Sequence, residues 1–200
     1  MPKKLRGYKI YIAPQISGYL DTNGQPVVYD EKTKKSLDPN NINDKITIYE
    51  RQVKEWFLNR ASRLLSGKKN GFIILMLSIS YIEGVERYRQ GNNSRNSSTN
   101  YFKTGLQRIF AALHVSNHDL NDFYSQVRCG LFHVGMTRKQ VIISQLYPHP
   151  IDFSESNTIK INPKKFLRDI KLDFNRYLKE LRDPTKIDLR NNFDSMYRNM

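Results

Sequence analysis

Cysteine is nearly absent from this chain of 200 residues, with Cys129 the only one. A single thiol makes no disulfide within the chain and no cysteine-based zinc site. Long apolar runs are missing as well. The most apolar stretch, 72–82, is interrupted by Ser78, Ser80 and Tyr81 and runs into Glu83, Glu86 and Arg87. It is too short to span a bilayer. The basic start, Met1-Pro2-Lys3-Lys4-Leu5-Arg6, is followed by no apolar segment of signal-peptide length. These absences lead us to expect a cytoplasmic protein with no membrane partner. There is no G-x-G-x-x-G turn, phosphate-binding loop or nucleophile elbow, which removes the commonest nucleotide and acyl-transfer sites. Acidic residues are scarce: 19 stand against 33 lysines and arginines, a net charge of +14. Such a surplus favours polyanionic partners, nucleic acid first and a membrane surface second.

What is present is mainly a helical pattern. Aromatics make up 12% of the residues, enough bulky side chains for a core. We expect three regions: an N-terminal arm over 1–47, a helical domain over 48–182 and a tail over 183–200. In the arm, residues 8–12 alternate like a strand, Asn23-Gly24 signals a turn, and Pro26 argues against a central strand. The arm is therefore read as irregular with short strands, packing on the domain or on a partner. Thr47 and Glu50 fit a capping box that opens a helix over 47–66, with Val53, Trp56, Phe57, Ala61, Leu64 and Leu65 on one face. A second helix over 71–90 is apolar almost all round in its first half, which predicts a central position in the core. Residues 91–100 are a polar loop. A third helix over 101–115 turns Phe102, Leu106, Ile109, Phe110 and Leu113 inward, and a fourth runs over 120–138. Residues 141–143 and 158–161 read as a short β-hairpin insertion. Asn162-Pro163 then opens a fifth helix with an apolar stripe of Phe166, Ile170, Phe174, Tyr177, Leu178 and Leu181. The expected fold is mainly α, a bundle of four to five helices.

The chemistry concentrates in residues 123–135. Phe123, Val127, Leu131 and Val134 form one apolar stripe. On an ideal helix Arg128 lies about 115° to one side of its centre and His133 about 105° to the other. Both border the core, and a regular α-helix keeps them apart. Two devices would bring them together. Gly130 would distort the helix locally, or a two-fold partner would place its own copy of the helix alongside, with Gly130 permitting close approach.

The stretch Arg128-Cys129-Gly130-Leu131-Phe132-His133 resembles the R-x4-H motif of the HEPN superfamily, small helical domains of prokaryotic defence and toxin–antitoxin systems that are often ribonucleases. The order around it is similar too: a long apolar helix, a polar loop, another helix, then the motif helix. The resemblance covers residues 48–182. It implies a HEPN-like bundle acting as a homodimer on RNA without a metal or other cofactor, with an antitoxin or another defence-system protein as a partner. Arg128 and His133 would be catalytic, and Glu83, from the middle of the second helix, would orient or polarise them; its other reading is a surface salt bridge. In RNA the 2′-hydroxyl attacks the adjacent phosphorus once a base takes its proton. Imidazole suits that transfer and a guanidinium suits the charge growing on the phosphate. The products carry 2′,3′-cyclic phosphate. Active members often have Asn, Asp or His after the arginine. Cys129 departs from this and supports an alternative, a non-catalytic HEPN-like module binding RNA or protein.

The remaining polar residues divide simply. His114 and His118 lie four apart but have no further ligands in view, so no metal site is expected; His149 sits between two prolines in a loop. Cys129 reads as a packing residue. Lys164, Lys165, Arg168 and Lys171 belong to a basic segment continuing to Arg182, either a solvated face or a track for an RNA backbone.

Overall fold

Asn41 starts the first helix. Its side chain accepts the backbone N–H groups of Asn43 and Asp44, which satisfies two of the donors that a helix start leaves open. The helix α1 (Ile42–Arg51) therefore begins ahead of the expected capping box, and the boundary drawn at residue 47 falls inside it. Thr47 instead returns its hydroxyl to the Asn43 carbonyl at 2.9 Å. The chain is seen here as a computed structural model that describes residues 7–67, 69–92, 97–138 and 140–198. The basic start and the centre of the expected 91–100 loop, residues 93–96, lie outside the described residues, as does Lys68 in the connection before the second helix.

The helix continues through a π-helical segment (Gln52–Leu58), α2 (Asn59–Arg63) and a 3₁₀ turn (Leu64–Ser66). The wider π turn shifts the phase of the apolar stripe. Leu58 and Ala61 are buried, but Trp56 and Phe57, expected inward, are exposed.

The region ahead of α1 is more regular than its composition suggests. It forms an antiparallel meander of β1 (Ile10–Ala13), β2 (Ile16–Leu20), β3 (Pro26–Asp30) and β4 (Lys35–Leu37). Pro26 occupies the first position of β3, where a strand tolerates proline. Ala13, Ile16 and Val28 pack from the inner face onto Ile48 of α1. Arg51 fastens the sheet to the helix by donating to the Pro14 carbonyl and to Asp30.

The helix α3 (Gly71–Gln90) runs through the core and packs against α4 (Ser98–Ile109), α6 (Pro163–Arg182) and α7 (Ile187–Arg198). Its first half is not buried all round: Ile74, Leu75, Ser78 and Ile79 are buried, whereas Phe72, Ile73 and Met76 are exposed. Arg108 of α4 joins two of the partners, donating to Glu86 at 3.0 Å and to Asp173, which also accepts the Tyr81 hydroxyl at 2.7 Å. Paired in this way, the buried carboxylates avoid the cost of an isolated charge.

Helix α4 begins at Ser98 and gives way to a 3₁₀ turn (Ala111–Leu113), so it starts and stops earlier than expected. His114 follows in the left-handed region at φ 47°, and α5 (Asn117–Asp122) takes His118 into its first turn. The expected hairpin is corrected. Strand β5 (Val141–Ile143) pairs parallel with β7 (Ile159–Ile161), and the hairpin partner of β7 is β6 (Ile151–Asp152). Short apolar runs do not encode strand direction. Asn162 and Pro163 open α6 as expected, the Asn162 side chain accepting from Lys164 and Lys165. The expected tail is α7, whose Phe193 and Met196 belong to the core. The chain is mainly helical, with two small sheets. Among the described residues no helix is long and apolar enough to cross a membrane.

Candidate active site

After α5 the helix widens. Two π-helical segments, Phe123–Arg128 and Gly130–Val134, flank Cys129. The Cys129 N–H reaches back to the Tyr124 carbonyl and the Gly135 N–H to that of Gly130, each a span of five residues. An α-helix separates side chains five apart by about 140°, whereas closing the turn at i→i+5 brings such residues onto one side. Arg128 Nη1 and His133 Nε2 accordingly meet at 3.2 Å within one chain. A second copy is not needed to bring them together.

Gly130 has a definite role in this geometry. The chain leaves the helix at Gly135, φ 76°, and folds back across it. A Cβ at Gly130 would stand 2.7 Å from the Met136 carbonyl oxygen. Met136 N–H bonds the Gly130 carbonyl at 3.3 Å and Arg138 N–H bonds the Gln126 carbonyl at 3.1 Å, which satisfies acceptors at the frayed helix end. Close approach at Gly130 thus serves the returning chain rather than a neighbouring helix. Phe123, Val127 and Leu131 are buried as expected, but Val134 is 67% exposed at the end of the helix.

Glu83 of α3 completes the cluster. Arg128 Nη2 donates to Glu83 Oε2 at 2.9 Å, while Glu83 Oε1 accepts from Arg87 Nη2 at 2.9 Å and from the Ser98 hydroxyl. Glu83 therefore forms salt bridges to both Arg128 and Arg87, half-buried rather than at the surface. The Arg128 guanidinium also lies 5.4 Å from the ring centres of Tyr124 and Phe132. Burial alone would weaken its charge. The bond to Glu83, together with the fields of Tyr124, Glu83 and Cys129, outweighs that effect and holds the guanidinium protonated. Burial pushes the Glu83 carboxyl up, but Ser98, Arg128 and Arg87 together hold it below the ordinary glutamate range.

A guanidinium has donors only, so a hydrogen bond between these two atoms uses His133 Nε2 as its acceptor, which is the role of the tautomer with its ring proton on Nδ1. A ring nitrogen able to accept a proton is what general-base chemistry requires. His133 is exposed, and Arg128 and Glu83 line a cleft of about 250 Å³ with Ile79, Ser80, Gly84, Arg87 and Phe132. Ser98 and Arg87 were not singled out from sequence. Arg87, four residues after Glu83 on a predicted helix, carried the i,i+4 signal that would have found it. Cys129 is half-buried beside the pair.

The charges on Glu83 have a measurable consequence. Its depressed pKa means that its contribution to stability is complete above the ordinary value of 4.5 and is lost as pH falls through the folded value. Glu83→Gln should therefore melt below wild type at neutral pH, by about 1.5–3 kcal/mol for hydrogen bonds to a charged group. The gap should close as the pH is lowered below 4.5 and through the folded value. Melts that stay equally separated across that range would contradict the assignment.

Lys164, Lys165, Arg168 and Lys171 share one groove of about 570 Å³ on α6, with Ser62 and Asn175. It is separate from the Glu83 cleft. Lys171 Nζ donates to Ser62 at 2.9 Å, Lys165 to the Pro148 carbonyl, and Arg168 pairs with Asp169 at 2.7 Å. His118 Nδ1 lies 3.4 Å from Asp122.

Compared with known proteins, the chain matches no family model, and no curated protein or solved structure is significantly similar to it.

Proposed function

We propose that this protein is a metal-independent endoribonuclease of the HEPN type, and the observation that carries the reading is the 3.2 Å approach of Arg128 to His133, with Glu83 holding the arginine from behind. His133 Nε2 takes the proton of the 2′-hydroxyl, and Arg128 hydrogen-bonds the non-bridging phosphate oxygens. The 2′-oxygen forms its bond to phosphorus as the bond to the 5′-oxygen breaks. One product ends in a 2′,3′-cyclic phosphate and the other in a 5′-hydroxyl, which takes its proton from solvent while the His133 imidazolium returns one to solvent. The substrate supplies its own nucleophile, so no step calls for a metal. The test is incubation of single-stranded RNA with the protein in EDTA, followed by identification of the new ends. Ends bearing cyclic phosphate are expected, and intact RNA would exclude the reading.

The setting we propose is a cytoplasmic defence or toxin–antitoxin system, with an antitoxin or other defence protein as partner. A homodimer is part of the same reading. Exposed Phe132, Val134 and Met136 border His133, and exposed Trp56 and Phe57 line a second groove that shares Ser80 and Gly84 with the site cleft. Apolar surface of that kind favours a protein partner. The second reading, a non-catalytic RNA- or protein-binding module, is favoured by Cys129 at the position after the motif arginine.

The nuclease reading and the RNA-binding form of the second reading both take RNA phosphates into the α6 groove. Replacing Lys164, Lys165, Arg168 and Lys171 together by alanine should weaken RNA binding uniformly across sequences. It should also flatten the salt dependence, by about 0.7 in log–log slope for every phosphate of a single strand that is no longer neutralised. A slope equal to wild type would remove the groove from the binding surface.

A further inference from the structure

The N-terminal sheet has two faces, and the inner one is used by the core. The register assigns the outer one. Tyr11 stands opposite Ser17, Ser17 opposite Tyr29 and Tyr29 opposite Ser36, while Tyr19 lies two residues beyond Ser17 on the same face. Three tyrosines from three adjacent strands therefore project from one side, 61%, 42% and 36% exposed at positions 11, 19 and 29. None of the three rings pairs with another aromatic ring among the described residues. Tyr11 and Tyr29 flank β2, so their backbones are about 9–10 Å apart, two strand spacings.

The surroundings favour an anionic, aromatic ligand. Lys9 Nζ sits 5.6 Å from the Tyr11 ring centre and pairs with Glu31 at 2.5 Å, and Glu31 also accepts the Tyr11 hydroxyl at 3.4 Å. These contacts fix the Tyr11 ring before any ligand arrives. They also neutralise Lys9, so the free positive charge lies in the β3–β4 turn, where Lys32 and Lys34 are exposed. Open ring faces on an antiparallel sheet, bordered by lysines, are what single-stranded nucleic acid needs: bases stack on the rings and phosphates meet the cations. A duplex, its bases already stacked, gains nothing from the rings.

We propose that the outer face of the N-terminal sheet, through Tyr11, Tyr19 and Tyr29, is a stacking platform for single-stranded RNA. It is distinct from the basic groove of α6 and from the Glu83 cleft, and it needs no cleavage. The test is binding of a fluorescein-labelled oligouridylate in EDTA by the full chain carrying His133→Ala, so that turnover plays no part. Tyr11→Leu and Tyr29→Leu should each weaken binding about tenfold, whereas Tyr11→Phe and Tyr29→Phe should bind as the parent does. Affinity for a duplex of matched length should not change in any of the four. Leucine variants that bind the single strand normally, or that lose the duplex equally, overturn the proposal. A second readout does not depend on how well the variants fold: a 4-thiouridine-substituted strand, photo-crosslinked to the unaltered sheet, should attach at Tyr11, Tyr19 or Tyr29. Crosslinks confined to other residues also overturn it. Failure of the cleavage reading leaves both measurements intact, because neither reads turnover.

Discussion

Replacement of His133 by alanine is expected to lower RNA cleavage by roughly a hundredfold to ten-thousandfold, the usual loss when a positioned general base is removed, while thermal stability changes by about 1 kcal/mol or less, as at other exposed positions. The side chain is exposed at the end of a helix whose buried stripe does not include it. Arg128→Ala should lose comparable activity but differ in stability. The sequence alone places both residues at the border of the core and predicts little cost for either. In the structure Arg128 is half-buried and tied to Glu83, so its removal leaves a carboxylate with one partner fewer. A cost of about 1–3 kcal/mol is expected from that change. Arg128→Lys should not restore cleavage, because an ammonium cannot hold Glu83 and a phosphate in the planar geometry that a guanidinium offers. Cys129→Ser should cut nearly as well as wild type if the thiol only packs. The measurement is cleavage in EDTA by the four variants, with melts alongside. Folded alanine variants that cut like wild type would show that the site has been misassigned.

Arg128, His133 and Glu83 were legible in the sequence as candidates; their meeting was not, nor were Arg87 and Ser98. Periodicity at 3.6 residues per turn separates Arg128 from His133, and that separation left two explanations open, a local distortion at Gly130 or a second chain. Distortion is what the helix adopts, as two π-helical segments, and nothing in the apolar pattern announces a π turn. The same effect explains Trp56 and Phe57, which an α-helical phase turns inward and the π segment over 52–58 turns out. The long helices α3 and α6 were readable because their patterns persist over several turns and Asn162-Pro163 marks a start. The N-terminal meander was harder. Its strands are three to five residues long, too short for alternation to outweigh the polar turns between them. For β5 and β7, the strands were visible but their parallel pairing was not, since it depends on β6 taking the other edge.

The largest structural effect is expected at a residue that reads as tail. Phe193→Ala should destabilise the protein by about 3–5 kcal/mol, the usual cost of emptying an aromatic site in a core. The signal was available: Leu189, Phe193, Met196 and Tyr197 recur at helical spacing, but Asp183-Pro184 just ahead of them reads as the end of the domain. In the structure the chain turns and comes back. Phe193 is fully buried, with ring centres 5.4 Å from Tyr49 and 5.5 Å from Tyr88, so it joins α1 to α3. Neighbouring polar contacts hold α7 in the same place: Lys45 meets Asp194 at 2.6 Å, and Asn192 donates to the Arg89 carbonyl at 2.8 Å. A domain of this kind is stable by about 5–15 kcal/mol in total, so one side chain carries a large share. Urea unfolding should show the midpoint displaced strongly toward lower concentration. None of these contacts touches Glu83, Arg128 or His133, so under conditions where the variant remains folded its cleavage rate should equal that of wild type. A midpoint unchanged by the substitution would mean that α7 does not seal the core as described, and a folded variant with impaired cleavage would mean that the helix reaches the site.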